Sequence, residues 1–353
     1  MATNRRPTMA DVAARAGVSL STVSLTFSGA GPISPDMKAR VEKAAQELGY
    51  TGPSPQGRAL RSGRSGIVGL VVHEKLALSF RDPITLRLLD ALVGDLSDMG
   101  LGVLLVPSPA DDPEERSLLE TAAMDAAVVV RVRSKDDPAL AILRRRGIPV
   151  ALMEGTPPPG AAAVNIADDE ATADLVRRLV DLGHERIATV TLPWGMAGET
   201  GVIDPKANPR PAWTPTHKRL KAFELAGVEP CVVVEARASI VEEGLAAGHI
   251  AITHESRPTA IVCQSDLLAG GVVLAARELE LQVPHDLSVT GFDGLDLPWL
   301  APLELTTVTQ DIEAKGHALG TAVKALLAGE EPPVVDTPVE FRPGNTIAAA
   351  RER

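Results

Sequence analysis

The chain has 353 residues, 45% of them hydrophobic, which is too long for one ordinary domain. Residues 1–66 contain nine Lys or Arg and four Asp or Glu, a net charge of +5, whereas the remainder carries −16. This asymmetry favours contact between the N-terminal segment and phosphates, although an ordinary solvated surface is the alternative. The sequence shows neither an apolar signal core nor a stretch near 18 apolar residues, so we expect a soluble cytoplasmic protein with no membrane partner.

The N-terminal segment predicts three short helices. Thr8 can cap the first helix, with Asp11 at the reciprocal position of a capping box. Gly17 ends that helix, and Ser19 caps a second helix that runs to about residue 27. A proline at the first helical position starts the third helix, over residues 35–48. The three-residue connection between the first two helices has the length of a helix-turn-helix turn.

The second helix has an unusual outer face. Val23 and Phe27 lie four residues apart and are expected to pack inward. The side chains left outside are Leu20, Ser21, Ser24 and Leu25. A plain three-helix scaffold rarely exposes two leucines, whereas a recognition helix in a major groove can set them against thymine methyl groups. Helix-turn-helix geometry also occurs in proteins that bind no DNA, so the spacing favours DNA binding without requiring it.

Several motifs in this segment resemble the headpiece of the lactose repressor/galactose repressor (LacI/GalR) family of bacterial transcription regulators. They are Thr8-Met9-Ala10-Asp11-Val12-Ala13, Ala16-Gly17-Val18-Ser19, Thr22-Val23-Ser24 and Glu47-Leu48-Gly49-Tyr50. By that resemblance Leu20, Ser21 and Leu25 read bases, with Ser24 beside them, while Ser19, Thr22 and Ser28 hold phosphates. Two leucines at base-reading positions imply specificity through methyl contacts and DNA shape.

Residues 53–66 form a linker rich in Pro, Gly, Ser and Arg. Ser54 and Pro55 can start a short helix there, which is too short to be stable alone. The family resemblance implies a hinge helix that orders when two copies pack in the minor groove, with Leu60 as a wedge between base steps. Arg58 and Arg61 would then lie near phosphates.

Beyond the linker, short apolar strands alternate with helical stretches. Strands are predicted at residues 67–72, 103–106, 127–130, 150–153, 188–192, 231–234, 260–263 and 288–292, and helices at 86–99, 172–182 and 267–279. This alternation predicts parallel sheets with helices on both faces. The stretches Leu182–Ala188, Pro284–Asp293 and Leu305–Gln310 resemble the periplasmic-binding-protein-like core of the same family.

The predicted architecture therefore combines an N-terminal all-α helix-turn-helix headpiece and hinge helix with an α/β periplasmic-binding-protein-like core of two Rossmann-like lobes. We expect the DNA-binding domain at 1–52 and the hinge at 53–66. The N-terminal lobe is expected at 67–166 plus about 307–333, and the C-terminal lobe at 167–306 plus about 334–353. The resemblance implies crossings between the lobes near residues 167, 307 and 334. The long segment 192–216 is either a flap over the crevice or irregular surface.

In open parallel sheets ligands bind beyond the carboxyl ends of the strands. The side chains in such positions are His73, Arg131, Glu154, Trp194, Asp266 and Asp293. Asp266 starts a helix, where a cap is the usual role, but it matches a Ser/Asn-Asp ligand position of the family. The resemblance also implies that Arg219 binds the effector. We further expect Gln310 at a position between the lobes, and Phe80 and Trp194 as apolar walls. A solvated surface role for Arg219 and ordinary packing for the other three remain the alternatives.

The sequence contains no nucleophile elbow, phosphate-cradling Gly-rich loop or metal-ligand cluster, so we expect neither an enzyme nor a cofactor nor a metal. Cys231 and Cys263 are expected to be buried reduced thiols, and His184 to belong to a structural turn. The polar groups in the crevice indicate a hydroxylated effector, such as a sugar or nucleoside.

We interpret the chain as an effector-responsive repressor that binds a pseudo-palindromic double-stranded operator as a homodimer. The tail after residue 341 has no leucine heptad that could bundle dimers into a tetramer. An activator of the same family is one alternative, since the same contacts with DNA can lead to activation or to repression. A solute-binding protein is the alternative for residues 67–353, which the headpiece disfavours.

Overall fold

A computed structural model describes residues 7–29, 31–52, 59, 63–73, 76–108, 117–130, 132, 137–194, 198–207 and 213–351. The chain divides into two compact units, Met1–Gly66 and Ile67–Arg353. The first unit contains the helices α1 (Met9–Ala16), α2 (Leu20–Ser28) and α3 (Pro35–Leu48). These helices confirm the three predicted for this segment.

Local hydrogen bonds explain where the helices of the first unit start and stop. The Asp11 carboxylate accepts from the Thr8 N–H at 2.8 Å, and the Thr8 hydroxyl accepts from the Asp11 N–H at 3.3 Å, which completes the capping box. Gly17 ends α1 in the left-handed conformation, with φ of 62°, a geometry that costs glycine no steric strain. Val12, Val23 and Val41 are fully buried where the three helices meet.

The second unit begins with a six-stranded parallel sheet. Its strands are β1 (Ile67–Val72), β2 (Gly102–Pro107), β3 (Ala126–Val130), β4 (Val150–Met153), β5 (Ala162–Asn165) and β12 (Val334–Asp336), in the order β12-β5-β4-β3-β1-β2. Its helices are α4 (Leu76–Ser79), α5 (Pro83–Asp98), α6 (Pro138–Arg145) and α11 (Ile312–Ala328), with a 3₁₀ turn at Leu118–Glu120. Leucines of α5 and α11 cover one face of the sheet, and α6 covers the other.

A second sheet follows in the same unit. Its strands are β6 (Ile187–Thr191), β7 (Gly201–Val202), β8 (Val233–Glu235), β9 (Ala260–Cys263) and β10 (Ser288–Thr290), in the order β10-β9-β6-β8-β7, with only β7 antiparallel. Its helices are α7 (Asp168–Asp181), α8 (Thr214–Leu225), α9 (Val241–Thr253) and α10 (Asp266–Glu278), with a 3₁₀ turn at Pro298–Leu300. Helices α9 and α10 cover one face, and α7 and α8 the other.

Two further strands, β11 (Thr307–Gln310) and β13 (Val339–Arg342), form an antiparallel pair. The chain passes from the first sheet to the second after β5, returns through β11 into α11, and leaves again between β12 and β13. Each sheet with its helices forms one α/β lobe, so the predicted pair of Rossmann-like lobes is present. We call them the N-lobe and the C-lobe.

The eight predicted strands are all present, with ends displaced by two residues at most. Cys231 precedes β8 and is only half-buried, so the predicted burial of this thiol in a strand was wrong. Five strands, β5, β7, β11, β12 and β13, were not predicted. Part of the segment 192–216 forms the edge strand β7. Trp194 and Trp213, which lie near the two ends of this segment, are buried.

Candidate functional site

The first candidate site is the outer face of α2. Leu20 is 52% exposed and Leu25 is 36% exposed, while Val23 on the opposite face is fully buried. Ser21 is exposed beside Leu20, and Ser24 is half-buried. The predicted division of this helix into an inner and an outer face is therefore confirmed. The outer face is small, apolar and hydroxyl-bearing, which suits contact with base edges in a groove.

Ser19 is the N-cap of α2. Its hydroxyl accepts the Thr22 N–H at 3.1 Å and lies 2.7 Å from the Ser21 hydroxyl and 2.8 Å from the Thr22 hydroxyl. These three hydroxyls cluster at the N-terminus of α2, where the first backbone N–H groups of the helix point outward. A helix N-terminus with clustered donors is suited to a phosphate.

Two arginines of the first unit stabilise the headpiece itself. Arg40 donates to the Ala16 carbonyl at 2.6 Å and so satisfies the C-terminus of α1. Arg15 pairs with Glu47 of α3 at 2.5 Å. The predicted hinge residues Arg58, Leu60 and Arg61 lie outside the described residues, as does Arg131 of the core.

The second candidate site is a crevice between the lobes, and we call it the crevice cavity. It has a volume of about 40 Å³ and is lined from the N-lobe by Asp82, Ile84, Thr85, Leu88, Val130, Met153, Glu154 and Lys315, and from the C-lobe and crossovers by Leu192, Pro215, Arg219, Ser239, Ser265, Asp293 and Gln310. This volume admits a few water molecules, whereas ligand pockets usually measure hundreds of Å³. A sugar-sized molecule therefore needs the crevice to widen.

A chain of hydrogen bonds crosses the crevice from one lobe to the other. The Lys315 ammonium of α11 donates to Glu154 of the N-lobe and to the Gln310 Oε1. Gln310 in turn donates through Nε2 to Asp293 Oδ1 of the C-lobe at 2.7 Å. Glu154 and Asp293 both have positive φ, 58° and 120°, so the backbone is strained at the two acidic ends of this chain.

Arg219 on α8 is almost fully buried. Its Nε donates to Asp168 Oδ1 at 2.7 Å, its guanidinium carbon lies 3.6 Å above the Phe292 ring, and its Nη1 is 3.9 Å from Asp293 Oδ1. Burial raises the pKa of Asp168 to about 6, although the Arg219 charge lowers it. Burial also raises the pKa of Asp293 well above its ordinary value, again against the effect of Arg219.

Asp266 lies beside the crevice cavity but does not line it. Ser265, and not Asp266, is the N-cap of α10, since its hydroxyl accepts the Leu268 N–H at 3.3 Å. The Asp266 carboxylate is fully buried and accepts from the Leu295 N–H and the Thr307 hydroxyl, both at 2.6 Å. Burial raises its pKa to about 6. This side chain ties α10 to the loop after β10 and to β11, while Ser265 faces the cavity.

Of the remaining effector candidates, some line the crevice cavity and others lie elsewhere. Glu154, Arg219, Asp293 and Gln310 all line the crevice cavity. His73, Phe80 and Trp194 do not: His73 is buried with Nδ1 3.1 Å from the Val130 carbonyl, and Phe80 is 50% exposed. Trp194 lines a groove on the outside of the C-lobe instead.

Sequence reasoning missed several residues of the cavity, chiefly Lys315, Asp82 and Ser265. Lys315 is almost fully buried among the apolar residues Ile312 and Leu319 of α11, and a lysine on an apolar helix face is the signal that could have identified it. Asp82 precedes a proline and caps α5, a local role that hides its position at the cavity.

Other polar residues have structural roles. His184 is buried and its ring nitrogens lie 2.9 Å from the Thr259 hydroxyl, 3.1 Å from the Ser288 hydroxyl and 3.0 Å from the Ala348 carbonyl, consistent with the structural turn expected. Within the described ranges, no group of three or more His, Cys, Asp or Glu side chains is arranged to hold a metal ion. Of the helices in the same ranges, none has the length and apolar content to cross a bilayer.

Comparison with known proteins decides the family. Residues 8–53 match the model of bacterial regulatory proteins of the lacI family, and residues 176–347 match a periplasmic binding protein-like domain. An HTH-type transcriptional regulator from Mycolicibacterium smegmatis is 34% identical over 331 residues, covering 90% of this chain and 89% of the relative. The chain belongs to the LacI family.

Solved structures show the same fold over the whole chain. A lac repressor dimer bound to operator and the anti-inducer ONPF aligns with a TM-score of 0.75 at 22% identity, covering 98% of this chain and all of that one. A complex of the transcriptional regulator CelR with cellobiose aligns with a TM-score of 0.66 at 24% identity, covering 97% of this chain and all of that one. The family model and the 34% identical regulator, and not the fold alone, identify the protein as a DNA-binding transcriptional regulator and not an enzyme.

Proposed function

We propose that this LacI-family regulator is a cytoplasmic repressor that binds a pseudo-palindromic operator as a homodimer and is controlled by a small hydroxylated effector, a sugar or nucleoside, in the crevice cavity. The observation that carries the DNA-binding part is the outer face of α2, which leaves Leu20 and Leu25 exposed beside a hydroxyl-capped helix N-terminus. Two-fold symmetry of a dimer would present two such helices to two half-sites.

The proposal assigns roles in DNA binding to the N-cap and the outward residues of α2. Leu20 and Leu25 contact thymine methyl groups, and Ser21 and Ser24 contact base edges or their bound water. Ser19, Thr22 and Ser28 hold phosphates, with the Ser19–Thr22 cluster at the N-terminus of α2. In the hinge, Leu60 is the minor-groove wedge and Arg58 and Arg61 lie near phosphates, as the family resemblance implies.

The effector part of the proposal rests on the crevice cavity. Charged and amide side chains from both lobes converge there, namely Glu154, Arg219, Asp293, Gln310 and Lys315. Hydroxyl groups of a bound molecule can replace the hydrogen bonds that these groups make with one another. A bound effector would then change the separation of the lobes, because the Lys315–Gln310–Asp293 chain joins them. The cellobiose-bound and repressor relatives support a sugar effector and a repressor role.

The DNA-binding proposal is tested with duplexes selected by the protein from a random library. We expect the selected sequences to be pseudo-palindromic and their affinity to fall steeply with salt concentration, because phosphate contacts release counterions. Leu20→Ala and Leu25→Ala should each weaken the selected duplex at least tenfold more than a scrambled duplex. Leu118→Ala, which removes a leucine of 55% exposure from the N-lobe, is the matched control and should change neither.

Equal losses on selected and scrambled duplexes would contradict base reading by these leucines. An affinity that is independent of salt would contradict DNA binding through phosphates altogether. An activator would bind the same duplexes, so a reporter gene in cells without and with the protein separates activation from repression.

A further inference from the structure

The two leucines on the outer face of α2 differ in position and exposure. Leu20 begins the helix and is 52% exposed, whereas Leu25 lies in its last turn and is 36% exposed. Gly29 ends α2 in the left-handed conformation, with φ of 66°, and its N–H donates to the Leu25 carbonyl at 2.9 Å. The chain that leaves the helix therefore stays close to Leu25.

Gly31 lies directly against the side chain of Leu25. A Cβ on Gly31 would be 3.2 Å from Leu25 Cδ2, whereas non-bonded carbon atoms pack best at about 3.5–4.0 Å. Among the described residues that do not adjoin Gly31 in the chain, Leu25 is the only one with an atom within 4 Å of that position. The φ of Gly31 is outside the left-handed region, so the backbone does not require glycine there. What glycine provides at this position is room for one methyl group of Leu25.

Two other glycines of the headpiece show the contrast. Gly29 and Gly49 both have φ of 66°, and a Cβ on either would meet no described atom within 4 Å. These two glycines are explained by the left-handed backbone at the ends of α2 and α3. Gly31 is explained by a side chain instead, and that side chain belongs to the outer face of α2.

The position of Leu25 matters because contact between methyl groups depends steeply on distance. A gap of about 0.5–1 Å removes a quarter to a half of the attraction between two carbon atoms. A side chain that already rests on a neighbour also loses less conformational entropy when DNA covers it. A Cβ at residue 31 would push Leu25 Cδ2 away by a few tenths of an ångström or turn the side chain to another rotamer.

We infer that Gly31 is a positioning residue for base reading: it allows Leu25 to rest on the turn after α2 in the orientation in which Leu25 contacts a thymine methyl group. This inference rests on the role proposed above for Leu25 and deepens it, because it assigns part of the sequence specificity to a glycine outside the recognition helix. The next residue fits this role, since Pro32 fixes its own φ and so limits the conformations of the turn.

The test uses the full chain and selected duplexes in which single thymidines are replaced by deoxyuridine, which lacks the C5 methyl group. Fluorescence anisotropy gives the loss of affinity for each replacement. The thymine read by Leu25 is the one whose replacement weakens binding by the wild type but not by Leu25→Ala. We expect that loss to be about fourfold in the wild type, the factor for one buried methyl group, and to be absent in Gly31→Ala. The same loss retained at that thymine in Gly31→Ala would overturn the inference.

A double variant shows whether Gly31 acts through Leu25. Leu25→Ala removes the δ-carbon that a Cβ at residue 31 would meet, so Leu25→Ala/Gly31→Ala should bind the selected duplex as tightly as Leu25→Ala alone. An equal loss of affinity from Gly31→Ala with and without the leucine would refute the inference, because Gly31 would then act through another group. A headpiece that Gly31→Ala simply unfolds would give that equal loss, and would lose the scrambled duplex as well.

Gly49→Ala is the matched control. It strains the backbone at the end of α3 and meets no described side chain, so it should weaken every duplex by the same factor and preserve the loss at each deoxyuridine. A change in the deoxyuridine pattern as large as that of Gly31→Ala would show that general destabilisation, and not the position of Leu25, sets the pattern.

Failure of this inference is distinguishable from failure of the proposed function. A loss at one thymine that disappears in Leu25→Ala and persists in Gly31→Ala refutes the positioning role and leaves base reading by Leu25 standing. If no deoxyuridine weakens binding by the wild type, methyl reading is refuted together with the positioning role, while the salt dependence still tests the contacts with phosphates.

Discussion

At the scale of single residues, Asp266 shows how one side chain can match a ligand-binding pattern and still have another role. Its two oxygens accept hydrogen bonds from Leu295 and Thr307, and a Cβ at Gly291 would overlap Oδ1. Only glycine at residue 291 allows the loop after β10 to lie so close to the carboxylate. The neighbouring Ser265 faces the crevice cavity instead, so a direct effector contact is expected from Ser265 and not from Asp266.

Asp266→Asn tests this structural role through pH. Burial raises the pKa of Asp266 from 3.8 to about 6, so the folded chain binds a proton between these values that the unfolded chain does not. The contribution of this group to the free energy of unfolding therefore falls as the pH rises through that window. From pH 4.5 to 7, the free energy of unfolding of the wild type should fall by about 2 kcal/mol relative to that of the variant.

Urea unfolding at the two pH values measures this difference. Tryptophan fluorescence reports the second unit, since all three tryptophans, Trp194, Trp213 and Trp299, lie there. A stability difference between wild type and Asp266→Asn that does not change with pH would show that Asp266 is not the buried carboxylate described here.

Arg219 and Asp168 form a buried pair whose two members depend on each other. Arg219→Ala leaves Asp168 buried without its guanidinium, and we expect a loss of about 3–5 kcal/mol. The double variant Arg219→Ala/Asp168→Ala should be more stable than Arg219→Ala alone, because it removes the uncompensated charge. Urea unfolding of the wild type, both single variants and the double variant gives the coupling energy, and strictly additive losses would contradict the pairing.

At the scale of elements, the sequence predicts the helices and strands that local signals mark, and it misses those that form only through tertiary contacts. The three headpiece helices follow from caps within a few residues, such as Thr8 with Asp11 and Ser19 with Thr22. Strand β12 is exposed and three residues long, and β7 has only two residues. Such strands form by pairing with a partner far along the chain, as β12 does with β5, so no local pattern marks them.

The crevice cavity was predictable only in part for the same reason. Glu154 directly follows β4 and Asp293 lies three residues after β10, and the rule for parallel sheets identifies both. Lys315 sits one turn into α11, and Asp82 caps α5, so neither position follows a strand. Lys315 reaches the cavity because the chain returns to the N-lobe through β11 into α11, which is a property of the whole unit.

Substitution of Ser19 tests whether its hydroxyl stabilises α2 of the headpiece. Removing its hydroxyl in Ser19→Ala takes the cap from α2 and should destabilise that helix by about 1 kcal/mol. Asn is also a good N-cap, so Ser19→Asn should restore the helix. Hydrogen exchange of the α2 amides in the full chain measures both effects. Equal exchange in the alanine and asparagine variants would show that the hydroxyl does not stabilise α2.

At the scale of the whole molecule, a basic N-terminal unit precedes a strongly acidic core. The charges of +5 on residues 1–66 and −16 on the remainder favour phosphate contact at one unit and discourage it at the other. The core in turn contains a cavity of about 40 Å³ whose walls belong to both lobes, so a ligand that enters must change how the lobes meet. Control of DNA affinity by the effector is the expected use of this coupling.

The most direct test of this account is the affinity for the selected duplex with and without a saturating ligand of the crevice cavity, measured by fluorescence anisotropy at fixed salt. We predict a change of at least tenfold, and by linkage the affinity for the ligand must change by the same factor when the duplex is bound. An operator affinity that is identical in the presence and absence of the bound ligand would contradict the account.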